Sequence, residues 1–471
     1  MMNRKHYVLS FLAAVLLATP ACYEDVPNLN GVDLDEIEEN PTPERISELA
    51  AGLLIGHRAG KGNANGYVAQ LGILGRESFN FDPADPRFRS ELVEGQLDGG
   101  SPAFGGNFWT LPYINLRTAF TVLKILDSVP GMSDGEKNVA RGFTQTIMAL
   151  EYLQLINTRD ENGIAIDVDR DVDEPLAPIV GKDEAFDEIE RLLLTGCENL
   201  GGCPSGDVGP VETAPFTFAL SNGFAGFSDV ASFAQFNRAI AARVFAYREK
   251  WTDAQIALDQ SFFDPADPAL NDPARGLASL NVGAYHVYST GSGDVTNALN
   301  SVNIYAQPAA IDAAEPGDAR VARKLAHFSE FAPLRSAGSV QSGDNTYNSD
   351  FVFAEYQSAT APIAIIRHEE LFLLQAEVHI GNGDLAAAKQ TLDTVRRVSA
   401  NLPPLADFAD ADAAIDALLH ERRYSLLFEG GHRWLDMRRY GKLDDLLLDD
   451  QVPGMVNSAF PIPDAELNAR E

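Results

Sequence analysis

The feature that most constrains this chain is a set of helical runs joined in pairs by very short turns. Arg367–Ile380 and Leu385–Ser399 place apolar residues at spacings of three and four, and only Gly381-Asn382-Gly383-Asp384 separates them. Helices joined so closely lie antiparallel and bury facing stripes. Leu385, Ala388, Leu392 and Val395 form one such stripe, and Asp384 is placed to cap the second helix. A second pair covers 233–249 and Asp253–Ser261 around the turn Lys250-Trp251-Thr252, where Ala239, Ala241, Ala242 and Ala246 permit close approach. Further helices are expected over 45–56, 112–128, 134–157, 183–199 and 412–440. The expected fold is mostly α, of hairpins with tetratricopeptide-like geometry or, more blandly, any helical bundle. The pairs are unevenly spaced, unlike a regular array of roughly 34-residue repeats. Two stretches rich in Gly, Asn, Pro and aromatics, 57–111 and 262–362, interrupt them and are expected as long irregular insertions with minor β structure.

The amino terminus reads as a secretory leader over residues 1–21, with Arg4 and Lys5 before an apolar stretch from Tyr7 to Leu17 and the small residues Ala18 to Ala21. The next residue is Cys22, whose thiol is the expected point of lipid attachment. Residues 22–44, acidic and carrying Pro27, Pro41 and Pro43, form the expected tether, and by length alone the remainder could fold as two or three domains or as one helical array. A net charge of −32 argues against nucleic acid as a partner, since phosphates would be repelled. Cys197 and Cys203 are the remaining cysteines, and in an exported chain they are expected to pair.

Motifs that carry chemistry are incomplete. His368-Glu369-Glu370-Leu371-Phe372 starts like a zinc-protease helix but has Phe372 where the second histidine must stand. Asp167, Asp169, Asp171 and Asp173 alternate as in a calcium loop, yet Val172 replaces the required glycine and Pro178 the closing glutamate, so a solvated acidic loop is preferred. No nucleophile elbow, Walker or dinucleotide fingerprint is present, and neither metal nor cofactor is expected. The chain reads as a binder and not an enzyme.

The last strong segment runs from Glu421-Arg422-Arg423 through Leu426-Leu427-Phe428-Glu429-Gly430-Gly431 and Arg433-Trp434 to Asp436-Met437-Arg438-Arg439. This pattern resembles the C-terminal signature of the SusD/RagB family, with Ser425 where an acid is usual, Met437 for leucine and a doubled glycine. Trp109–Tyr113 leading into Ile114–Leu126, Ile240–Tyr247 with Trp251 and Ala254, and Pro362–Val395 are similar to that family's earlier helices. Glu421, Arg422, Glu429, Arg433, Trp434, Asp436 and Arg439 are expected to be structural, as opposite charges that neutralise one another at a core. The resemblance implies that 45–471 is a single ligand-binding domain, an α-superhelix of tetratricopeptide-like hairpins whose loop insertions carry the ligand site, in an outer-membrane lipoprotein that captures a nutrient and delivers it to a SusC-like TonB-dependent transporter. Glu24-Asp25 behind Cys22 is similar to the acidic signals that send such lipoproteins to the cell exterior.

An oligosaccharide or glycan fragment is the expected ligand, because sugar sites combine flat aromatic faces with Asn, Asp and Arg. Such mixtures occur around Asn80 and Phe81, around Asn107 and Trp109, and among Tyr285, Tyr288, Asn303 and Tyr305. Asn80, Phe81, Asn107 and Tyr288 are the candidate ligand contacts. Equally, these aromatics could serve to pin the insertions onto the helices. An envelope scaffold that binds only proteins and a surface glycan hydrolase are the competing functions, and no residue set supports turnover.

Overall fold

The computed structural model describes residues 40–100, 107–170, 174–203, 211–331, 335–452 and 454–471. Cys22, Asp171, Asp173 and the side chain of Asn107 lie outside these described residues. Residues 42–471 form one compact unit. The helices used below are α1 (Pro43–Arg58), α2 (Tyr67–Leu74), α3 (Asn107–Leu126), α4 (Asp134–Arg159), α5 (Lys182–Asn199), α6 (Val230–Tyr247), α7 (Trp251–Asp259), α8 (His368–Gly381), α9 (Leu385–Val395), α10 (Ala411–Ser425) and α11 (His432–Arg439), with shorter ones such as Pro273–Leu280 between them. Packing runs in sequence from α3 on α4 through α4 on α5, α5 on α6, α6 on α7 and α7 on α8 to α8 on α9 and α10. The architecture is mostly α and built of tetratricopeptide-like hairpins.

Local chemistry sets the helix ends. Ser133 and Glu136 close a capping box at the start of α4, and the Asp384 carboxylate accepts from Ala387 N at 3.0 Å to start α9. Three expectations are corrected. The helix expected from 112 begins at Asn107 and carries Pro112 inside it; buried Phe108 and Trp109 anchor the additional turn despite the missing N–H. Residues 363–367 form a strand, so α8 starts at His368. The single helix expected over 412–440 is two, because Phe428 (φ 59°), Gly430 (φ 144°) and Gly431 (φ 80°) leave the helical region between α10 and α11.

The two insertions are better ordered than irregular loops. Helix α2, buried on every side, gave no amphipathic pattern for that reason. Ser78–Asn80 pairs antiparallel with Ile304–Ala306, joining one insertion to the other, and Gly283–His286 pairs with Ile363–Arg367. Phe79, Phe81, Tyr305, Tyr347 and Phe353 share a hydrophobic core with Phe428, Trp434 and Leu435 of the C-terminal segment. A separate core fills the space between α1 and α3–α7, and a third lies between α8, α9 and α10. A disulfide joins Cys197, in the last turn of α5, to Cys203 just beyond the helix. No helix among the described residues is long and apolar enough to cross a membrane.

Candidate functional site

A groove of about 550 Å³ lies between the last turn of α1, the segment 219–224 and the strand Gly283–His286 with the loop that follows it. Its volume falls in the range of small-ligand sites. Gly223 makes the groove possible, since a Cβ there would stand 1.9 Å from the Tyr285 carbonyl oxygen, so only glycine lets the 222–227 turn approach the strand this closely. On one wall Arg58 donates to the Asp294 carboxylate at 2.6 Å and to the Val287 carbonyl at 2.5 Å, fastening the loop to α1. The Tyr285 ring is half-buried, and its hydroxyl donates to the Asn281 carbonyl. Asn222, Ser221 and Ser292 add exposed polar groups, and Ile55 is an exposed apolar edge.

The floor of the groove is a buried histidine pair. His57 and His286 lie with ring centroids 5.0 Å apart, and Glu151 Oε1 meets His57 Nδ1 at 2.9 Å and accepts from Asn115 Nδ2 at 2.7 Å. Burial lowers both imidazoles, against the pull of Glu151 on His57, so they are neutral at pH 7. Beneath them lies a cavity of about 80 Å³, also lined by Lys61, Tyr67, Asn157, Arg243, Glu429 and His432. That is room for a few ordered waters. Burial lowers the Lys61 ammonium to about 8, and it stands 4.9 Å over the Tyr67 ring. The C-terminal segment thus reaches the underside of the groove through Glu429 and His432.

That segment is an ionic lattice. Asp436 accepts from Arg422 Nε at 2.6 Å and from Arg439 Nη1 at 3.2 Å. Arg439 also meets Glu377, and its guanidinium covers the Tyr247 ring at 4.3 Å. Glu421 bridges Arg320 at 2.6 Å and Arg396 at 2.5 Å. Glu429 takes Arg367 at 2.9 Å and Lys324, and Arg433 takes Asp449 at 2.8 Å. The acids of the signature therefore pair mainly with arginines from other parts of the chain, where alternation along one helix suggested local pairs. Burial alone would raise the Glu429 carboxyl, but Arg367 and Lys324 outweigh it and hold it at about 2. Glu369 and Glu370 of the aborted zinc motif are likewise consumed, by Arg367 and Arg243. Glu315, His420 and Glu421 cluster as metal ligands would, but Arg396 bonds both carboxylates and fills the position a cation would take.

The described candidate contacts from sequence, Asn80, Phe81 and Tyr288, are not brought together in the groove. Asn80, Phe81 and Tyr288 are 3 %, 6 % and 7 % exposed. Asn80 Nδ2 donates to the Ala64 carbonyl, Phe81 is stacked between Phe79 and Tyr305 at 5.2 and 5.1 Å, and Tyr288 lies under Arg58 at 5.6 Å. Their geometry is that of pinning the insertions, and Tyr288 supports the groove through Arg58. Among the described residues of the aromatic mixtures read in the sequence, Tyr285 alone lines the groove. Asn222 and Arg58 carried no local pattern beyond the turn dipeptide Asn222-Gly223.

Residues 343–470, which contain this lattice, match the model of the SusD family. Over that segment the chain is similar in sequence to the SusD family. The SusD fold extends across it: a laminarin-binding SusD-like protein is similar at 19 % identity and a TM-score of 0.64, over 90 % of this chain and 97 % of its own. A SusD superfamily protein from Bacteroides vulgatus is similar at 14 % identity and 0.65, over 90 % and 96 %. A SusD-like carbohydrate-binding protein from Bacteroides fragilis is similar at 16 % identity and 0.63, over 87 % and 88 %. No curated protein matches.

Proposed function

We propose that this chain is a SusD-family outer-membrane lipoprotein, anchored through Cys22 and facing the exterior, that captures an oligosaccharide and delivers it unchanged to a TonB-dependent transporter. The observation that carries the reading is the groove beside α1. It offers a half-buried tyrosine face beside amide and hydroxyl groups, a mixture suited to the C–H faces and hydroxyls of a sugar. The laminarin-binding and carbohydrate-binding proteins of the same fold support a glycan as ligand. A binder is favoured over a hydrolase because the buried acids of the signature are ion-paired, which leaves them unsuited to donate or accept protons.

Calorimetric titration of the full chain with a panel of neutral oligosaccharides tests the site. Tyr285→Ala weakens binding by about 1–2 kcal/mol and moves the melting temperature little, because the ring is at the groove and not in a core. Leu392→Ala, in the third core, does the reverse. Unchanged affinity in Tyr285→Ala, or release of shortened products, removes the reading. Anchoring is tested separately: Cys22→Ser moves the protein from the membrane to the soluble fraction, since acylation needs the thiol. Continued membrane retention of Cys22→Ser removes the anchor.

A further inference from the structure

Arg238 differs from the other buried arginines of the fold. Arg243, Arg320, Arg367, Arg396, Arg422 and Arg439 each reach a carboxylate. Arg238, on α6, is only 5 % exposed, yet its Nε and Nη1 have no hydrogen-bond partner, and no ion pair to it is formed among the described residues. Burial lowers its guanidinium to about 10, partly offset by the charge of Asp253, so it remains cationic at neutral pH. A buried cation without a partner is costly, and folds do not keep one for stability.

Arg238 lines an open pocket of about 930 Å³. The half-buried rings of Phe216 and Phe218 and the first turn of α6 form other parts of its wall, and the side of Arg238 carries Gln235 and Gln260. The start of an 18-residue helix adds backbone N–H groups and a positive dipole end. Asp229 is the acid among the described lining residues, and its two oxygens are taken by Ser232 N at 3.0 Å and Ser232 Oγ at 2.6 Å. Arg238 and Val230 are eight residues apart, about 12 Å of helix rise, so the pocket is long enough for more than one small ring. Ala219 and Leu220 line both this pocket and the groove beside α1, which makes the two neighbours.

We propose that this pocket is a carboxylate subsite centred on Arg238, whose planar fork bonds a carboxylate through two parallel N–H donors. Resting on the glycan reading of the adjoining groove, the ligand is then a uronate-containing oligosaccharide laid across the Ala219–Leu220 segment. The missing partner of Arg238 arrives with the ligand.

The test is calorimetric titration of the full chain with tetragalacturonate, a neutral galactose tetrasaccharide and succinate, on the wild type and on Arg238→Met and Arg238→Lys. The wild type binds tetragalacturonate at least tenfold more tightly than the neutral sugar, and the advantage shrinks as salt rises. Arg238→Met abolishes the advantage, leaves affinity for the neutral sugar unchanged, and raises the melting temperature of the unliganded protein. Arg238→Lys keeps a reduced advantage, as a point charge without the fork. An advantage that survives in Arg238→Met, or an unliganded protein that melts lower in that variant, overturns the subsite and makes Arg238 structural. Neutral-sugar binding with no preference for the acid overturns the subsite but leaves the glycan reading standing. Succinate binding through Arg238 with neither tetrasaccharide bound supports the subsite and overturns the glycan reading.

Discussion

Replacing Asp436 with alanine lowers the stability of this protein by about 3–5 kcal/mol, a large part of what a domain of this kind has to lose. The carboxylate is buried and holds two arginines at once, Arg422 from α10 and Arg439 from its own helix. With it gone, Arg422 keeps, among the described residues, only the Glu377 carboxylate at 4.0 Å, in a place water does not reach. The measurement is chemical denaturation of Asp436→Ala beside Asp436→Ala/Arg422→Leu. The double variant recovers part of the loss because the stranded cation has also been removed. A double variant no better than the single one shows that the damage comes from the cavity and not from the unpaired charge.

The same residues show what the sequence discloses and what it withholds. The order of charges from Glu421 to Arg439 announced a structural lock, because acids and arginines packed so densely beside Trp434 can approach a core only in pairs. Its wiring was hidden. Arg320, Arg367 and Arg396 stand 101, 62 or 25 residues from the acids they neutralise, and no local period records such contacts. The hairpins were legible for the opposite reason: α9 keeps one face on the third core, so Ala388, Leu392 and Val395 recur at helical spacing. Where an element is buried all round, as α2 is, the period vanishes and the segment reads as irregular.

The proposed ligand site was the least legible part. Aromatic and amide residues in the insertions looked like sugar contacts by type, and Asn80 and Phe81 have that chemistry, but type does not tell which face of a strand is covered. The pairing of Ser78–Asn80 with Ile304–Ala306 and the stack of Phe79, Phe81 and Tyr305 turn those side chains inward. The groove depends on a glycine that lets two backbones touch and on Arg58 crossing to the loop at Asp294, contacts 236 residues apart in sequence. Arg238 was invisible for a related reason. Within the pattern of α6 it is one more charge on a helix, and only the absence of a partner distinguishes it.

The lattice and the insertions meet at Trp434, and its replacement by alanine costs about 3–5 kcal/mol with an uneven distribution of the damage. The indole is fully buried, lies edge-on to Phe460 at 6.1 Å, and is covered by the Arg438 guanidinium at 4.7 Å. Its Nε1 donates to the Asn457 carbonyl at 2.8 Å. Asn457 in turn donates to the Glu91 and Gly95 carbonyls and accepts from Leu97 N, so one tryptophan fixes the residue that ties down 91–97 of the first insertion. Hydrogen exchange of Trp434→Ala therefore loses protection first at 91–97 and around Asn457, while α4 and α5, in a separate core, keep theirs up to global unfolding. Trp434→Phe retains ring packing but not the donor, and falls between the two. Equal loss of protection in α4, α5 and the insertion would show that the cores unfold as one unit and that Trp434 has no privileged hold on the first insertion.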